Sequence, residues 1–177
     1  MRIISGKLKS KSINYIKDST TRPLKDSVKE NIFNVLNHSN QIEVSIKKAN
    51  ILDLYSGIGS FGLECISREA NKVTFIEQSK NTFNILKKNL VALSVIDQAM
   101  IINDKIENFI DKINKEKYDI FFLDPPFADK DFIKILQSIK KNKLYKKKHI
   151  VIIHREKNAT DNLDGLVNTF ITKQYGR

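Results

Sequence analysis

From Ala49 onward the chain alternates short apolar runs with segments of helical period, and this constrains the fold more than any other feature. ANILDLY (residues 49–55), KVTFIE (72–77), AMIIN (99–103), YDIFFL (118–123) and HIVIIH (149–154) read as strands. Between them SFGLECISREA from Ser60, SKNTFNILKKNLVAL from Ser79, IENFIDKI from Ile106 and DKDFIKILQSIKK from Asp129 read as helices, with Ser79 as a cap. Serial strand–helix units imply a Rossmann-like α/β fold, a mainly parallel central sheet with helices on both faces. The continuous apolar runs IFFL and IVII fit strands buried on both sides.

Residues 1–48 break the pattern. IISGKLKSKSINYI carries turn signals and suggests a small hairpin or extended arm. DSVKENIFNVLNH reads as a helix with Val28, Ile32, Val35 and Leu36 on one stripe, its approach stiffened by Pro23. Too apolar-poor for a core of its own, residues 1–48 are expected to pack as a basic extension on a main domain of residues 49–177.

Within the first strand–helix unit, LDLYSGIGSFGLE places Gly57, Gly59 and Gly62 at the spacing of a nucleotide-binding turn. The first two allow close approach of a ligand, and the third lets the helix pack near the strand. Asp53 precedes the glycines, where a carboxylate would repel a pyrophosphate but suit the positive amino and sulfonium groups of S-adenosylmethionine. Tyr55 and Ser56 ahead of the first glycine also depart from many dinucleotide turns, and Glu77, ending the second strand, can accept from ribose hydroxyls. S-adenosylmethionine is therefore favoured over a nicotinamide dinucleotide.

The fourth strand ends in Asp124, Pro125, Pro126 and Phe127. Ligands of open α/β sheets bind at the carboxyl edge of the strands, so this turn and the glycine loop should share one cleft. The prolines stiffen the backbone, the Asp124 carboxylate and a backbone carbonyl supply acceptors, and Phe127 offers a face for a planar base. Acceptors, a ring and a methyl donor together describe a site for an exocyclic amine. Asp124 either accepts the amine's proton or only orients it.

Net charge is +11, from 31 basic and 20 acidic residues, which favours a polyanionic partner, although a Lys-, Asn- and Ile-rich composition can also reflect nucleotide bias in the encoding genome. Eight basic residues fall between Met1 and Lys29, and KKNKLYKKK (140–148) adds six lysines. The second cluster reads equally as a phosphate contact or as a solvated helix end with a charged loop. The single cysteine, Cys65, excludes an intrachain disulfide and reads as a small buried hydrophobe. No Cys/His spacing suggests a metal, no run is long enough to cross a membrane, and a cytoplasmic setting is expected.

MRIISGKLKSK, TTRPLKDSVKENIFNVL, DLYSGIGSFGLECISREA, FIEQ, LDPPF and KQYGR together cover essentially the whole chain and resemble the RsmD family. These are bacterial 16S rRNA guanine-N2 methyltransferases with the class I S-adenosylmethionine-dependent fold. The resemblance implies that Asp53, Gly57 and Gly59 line the methionine side of the donor, that Glu77 holds the ribose and that Asp104 lies near the adenine; Ser56, beside Gly57, is expected to bind the donor with them. Asp104 can equally cap the following helix, with Glu107 at the capping-box position. Asp124, Pro125, Pro126 and Phe127 would be the target-amine motif. Arg2, Lys7, Lys9, Lys11 and Arg22 would dock RNA. The implied substrate is one guanine of 16S rRNA in an assembled or nearly assembled small ribosomal subunit, near the decoding site; a monomer is expected. Two departures stand out: Leu24 replaces a threonine common after TRP, and relatives usually continue past YGR with a hydrophobic strand, so an incomplete last strand is expected. The competing readings are an amino-methyltransferase acting on adenine in DNA or RNA, and a noncatalytic ribosome-assembly or nucleic-acid-binding module.

Overall fold

The computed structural model describes residues 1–15, 24–113 and 116–175. Helix α1 (Asp26–His38) precedes β1 (Asn50–Leu54), α2 (Ser60–Ser67), β2 (Lys72–Ile76), α3 (Lys80–Ala92), β3 (Ala99–Ile102), α4 (Ile106–Lys112), β4 (Tyr118–Leu123), α5 (Phe132–Lys141) and β5 (Tyr145–Ile153). The five strands form one parallel sheet in the order β3-β2-β1-β4-β5. The chain builds outward from β1 through β2 to β3, then returns to lay β4 on the other side of β1. Between β1 and β4 lies the topological switch point, where such sheets open a crevice at their carboxyl edge.

Strand alternation divides the core into two layers. Ile51, Val73, Phe75, Ile120 and Phe122 face α1, α2 and α3, while Leu52, Leu54, Phe121 and Leu123 face α4 and α5. Ser79 caps α3 as expected, its Oγ accepting from Thr82 N at 3.4 Å. Cys65 is fully buried.

The last strand starts four residues before HIVIIH and takes in Lys146, Lys147 and Lys148. A lysine run reads as loop, but β5 is the edge of this sheet, where lysines discourage pairing with another chain. Its register with β4 slips between Tyr118↔Tyr145 and Ile120↔Ile150. Among the described residues β5 is the last strand, and residues 154–175 run on without regular structure.

Residues 1–13 fold as a hairpin-like turn, with Ser10 N donating to Ile3 O (2.9 Å) and an antiparallel bridge Arg2↔Ser12. Ile3 and Ile13 enter the core layer of α1, α2 and α3. Glu64 of α2, fully buried, clasps the turn by accepting from Ile4 N (2.7 Å), Ser5 N (2.9 Å) and Arg68 Nε (2.9 Å). On α1 the buried residues are Val28, Lys29, Phe33 and Leu36, so the stripe is rotated from the expected one, with Ile32 and Val35 only half-buried. Phe33 turns the helix because its ring stacks on Phe61 (5.2 Å between centroids) and lies under Arg68. Lys29 is no surface cation. Its Nζ is buried, donates to Arg2 O at 2.8 Å, and stands 3.5 Å from Asp26 and 3.9 Å from Glu64. Burial lowers its pKa against the pull of those two carboxylates. Leu24, the departure from the usual threonine, is a core residue.

Candidate active site

The crevice follows from one register. Leu54 of β1 and Leu123 of β4 are paired, so the glycine loop and the acidic turn leave the sheet side by side. Asp53 sits one residue before that edge and Asp124 one residue after it.

After β1 the backbone turns through the left-handed region at Tyr55 (φ 59°), Gly57 (57°) and Gly59 (90°). The loop is then tied to the end of β2. Ser56 donates its N–H (3.0 Å) and its hydroxyl (3.1 Å) to Ile76 O, and Gly57 N donates to Glu77 Oε2 at 2.9 Å. Glu77 Oε1 accepts from Ser79 N at 2.7 Å. Asn103, at the end of β3, donates to Glu77 O at 2.8 Å and extends the lacing to a third strand. A side chain at Gly57 would meet nothing within 4 Å, so the loop is open there. At Gly62 a Cβ would collide with the Phe75 ring and lie 2.9 Å from Asp53 Oδ2, which is the close helix–strand approach expected of the third glycine.

Asp53 is 1 % exposed. Its Oδ2 accepts from Gly62 N at 3.0 Å, while its Oδ1 is buried without a hydrogen-bond partner. Burial pushes its pKa well above the usual carboxylate range, the Gly62 hydrogen bond opposes this, and the charges of Asp124 and Glu77 push the same way as burial. Asp53 therefore senses both of the other acids at the strand ends. Glu77 is also raised by burial, against the hydrogen bonds from Ser79 and Gly57. A buried carboxylate oxygen with no partner fits a cationic, hydrogen-bond-donating group, which the donor's ammonium supplies.

Across the crevice, Asp124 Oδ1 lies 2.8 Å from Nδ1 of His154, the residue after β5. Pro125 is buried; Pro126 and Phe127 are exposed, Phe127 by 42 %. Arg155 donates to Pro126 O and to Phe127 O, both at 3.1 Å. Tyr55 lies near the Asp129 carboxylate, bringing the donor-side loop close to the turn beyond Phe127; burial first and that carboxylate second raise its phenol. By sequence His154, at the end of HIVIIH, can face the same cleft edge but as a lone histidine takes no role, and Arg155 is missed because the segment alone does not show what the residue after His154 meets. Asn103 is missed for the same reason.

Asp104 lies at the carboxyl end of β3, and its Oδ1 accepts from Lys105 N and Asn108 Nδ2, both at 2.7 Å. The Asn108 bond is the main cause of its lowered pKa. Lys105 occupies the N-cap of α4 without a side-chain cap bond, so the expected capping box does not form.

Arg2, Lys7, Lys9 and Lys11 are exposed. Lys7 N donates to Ser67 O (2.8 Å) and Lys7 Nζ to Gln98 Oε1 (2.8 Å). This turn therefore sits at the carboxyl end of α2, roughly 12 Å of helix from the glycine loop at its other end. Arg22 and Pro23 lie outside the described residues. The 140–148 lysines also occupy the amino edge of the sheet, where Lys146 pairs with Asp119 (2.7 Å) and Lys148 with Glu43 (2.8 Å). A broad groove of about 960 Å³ runs between α1, β5 and residues 159–175; its walls are largely apolar and it takes in none of the glycine-loop or Asp124–Phe127 residues. Among the described residues no acid, histidine or cysteine cluster could hold a metal, and no helix is long and apolar enough to cross a membrane.

A parallel β3-β2-β1-β4-β5 sheet with helices on both faces, a glycine loop after β1 and acids at the first two strand ends defines a class I S-adenosylmethionine-dependent methyltransferase. The family described as Conserved hypothetical protein 95 matches residues 1–177. The chain belongs to this family, that of the bacterial RsmD-type rRNA methyltransferases. It is 34% identical over 174 residues to the ribosomal RNA small subunit methyltransferase D of Buchnera aphidicola subsp. Baizongia pistaciae, spanning 98% of this chain and 85% of that one. It is 39% identical over 129 residues to the protein of the same name from Haemophilus influenzae, spanning 72% of this chain and 64% of that one. Among solved structures, the Escherichia coli protein yhhF superposes with a TM-score of 0.73 at 27% identity, covering 86% of this chain and 78% of that one.

Proposed function

We propose that this enzyme transfers a methyl group from S-adenosylmethionine to the exocyclic N2 amine of one guanine in 16S rRNA, acting as a monomer on an assembled or nearly assembled small subunit in the cytoplasm. The observation that carries this reading is the shared crevice: Leu54 and Leu123 are register partners, and Asp53 feels the charge of Asp124. Its relatives' designation as small-subunit rRNA methyltransferases supports the substrate.

When bound, S-adenosylmethionine supplies an electrophilic methyl group. Asp53 Oδ1 would take the donor's ammonium, and Glu77 would accept from the ribose hydroxyls with the lone pairs not used by Gly57 and Ser79. Ser56 would contribute by fixing the loop to β2, since its hydroxyl already donates to Ile76 O. Asp104 would face the adenine from the end of β3. Arg155 occupies the carbonyls of Pro126 and Phe127. The Asp124 carboxylate and the Pro125 carbonyl would then be the acceptors that align the amine, with the base stacked on Phe127. On taking the methyl group the amine would lose one proton, which Asp124 would accept or which would pass to water. Arg2, Lys7, Lys9, Lys11 and Arg22 would contact phosphates of the large substrate away from the reacting base.

The test incubates the protein and labelled donor with undermethylated small subunits and, separately, with naked 16S rRNA, then maps the modified nucleotide. Label on guanine N2 in the particle is expected. Label on adenine, or none in either substrate, would overturn the reading.

A further inference from the structure

The end of β5 meets the acidic turn at several points. His154 N donates to Leu123 O at 2.9 Å, which carries the β4–β5 ladder one residue beyond the strand and fixes where the imidazole stands. Nδ1 is then 2.8 Å from Asp124 Oδ1, with the two side chains 28 % and 22 % exposed. A carboxylate only accepts, so Nδ1 carries the hydrogen. That bond uses one Asp124 oxygen and one orientation of the carboxylate plane, and leaves Oδ2 to meet an incoming donor.

Arg155 holds the next two residues. Its two terminal nitrogens each reach one carbonyl, Pro126 O and Phe127 O, at 3.1 Å. The guanidinium is itself held by Asp161, with Nε–Oδ2 at 2.8 Å and a second bond at 3.3 Å, and it lies 4.7 Å over the Phe132 ring. Arg155 and Asp161 are 11 % and 9 % exposed, so this ion pair is built into the fold. A planar fork serves two successive carbonyls at once; an ammonium cannot do so with the same rigidity. Proline stiffness sets the shape of the turn, but only outside contacts can set where it points.

We propose that His154 and Arg155 are positioning residues for methyl transfer. His154 selects the Asp124 oxygen that faces the target amine, and Arg155 fixes the Pro126–Phe127 backbone so that the stacking face and the acceptors stay in register. This deepens the proposed amine methylation and rests on it.

The experiment measures donor Kd by calorimetry and kcat on undermethylated small subunits for the wild type, His154→Ala, His154→Asn and Arg155→Lys. His154→Ala and Arg155→Lys should each lower kcat by roughly tenfold to a hundredfold, the scale of a misplaced reacting group. Donor Kd should change less than about twofold, because neither residue touches the glycine loop. His154→Asn should return kcat to within about threefold of wild type, since its amide N–H stands where Nδ1–H stood. Wild-type kcat in His154→Ala and Arg155→Lys would overturn the proposal, as would failure of Asn to rescue or an equal loss of donor binding. An inactive wild type would instead overturn the amine methylation itself, and these roles with it.

Discussion

The Asp53 carboxylate accepts the Gly62 amide at 3.0 Å across the turn from β1 into α2, and its other oxygen is buried and unpartnered. An acid held this way favours its neutral form until a cation arrives. Between the ordinary carboxylate pKa and the raised one, the folded protein keeps a proton that the unfolded chain releases, so stability falls as pH rises through that window. A bound cation reverses the preference and releases the proton. Donor affinity should therefore rise with pH through the window, and calorimetry in buffers of different ionisation enthalpy should register proton release. Asp53→Asn should abolish that release, weaken donor binding, and flatten the pH dependence of stability in the unliganded protein.

Glu77 accepts from Gly57 N and Ser79 N with different oxygens. Glutamine offers one acceptor and turns a donor toward the other N–H, leaving a mostly buried group mispaired at about 1–3 kcal/mol. Glu77→Gln should weaken donor binding by roughly tenfold or more on that scale. An unchanged Kd would reject a place for Glu77 in the pocket.

Glu64 is the interior anchor of the N-terminal turn. Glu64→Ala strands two backbone N–H groups and leaves Lys29 and Arg68 short of a carboxylate. A loss of about 3–5 kcal/mol in denaturant unfolding is expected, the usual cost of breaking a buried ion pair. Lys29→Met should cost much less, because a buried cation is removed together with its desolvation penalty.

Charge reversal at Lys7, Lys9 and Lys11 should weaken rRNA association and flatten its salt dependence by about 0.7–0.9 in log–log slope for each phosphate that is no longer neutralised. Binding assays at several salt concentrations measure this directly. Donor Kd should be unaffected, since the turn packs at the far end of α2.

The strand–helix order is legible in the sequence because each element carries its own period, and the glycine and proline motifs because their backbone demands are local. Lys29 is not legible: a lysine in a basic stretch gives no sign that Glu64, 35 residues on, will bury it. Phe33 rotates α1 through stacking on Phe61, a contact fixed only when the layers assemble. The lysines at the start of β5 read as loop because edge position is a property of the sheet, not of the segment. His154 likewise reads as a lone histidine until β5 is laid beside β4.

The most direct measurement compares methyl transfer to undermethylated small subunits by the wild type and Asp124→Ala, with donor binding followed in parallel. If the acidic turn aligns the target amine across from the donor pocket, the variant loses transfer by at least about a hundredfold while its donor Kd stays near that of the wild type. Wild-type transfer by Asp124→Ala would contradict it.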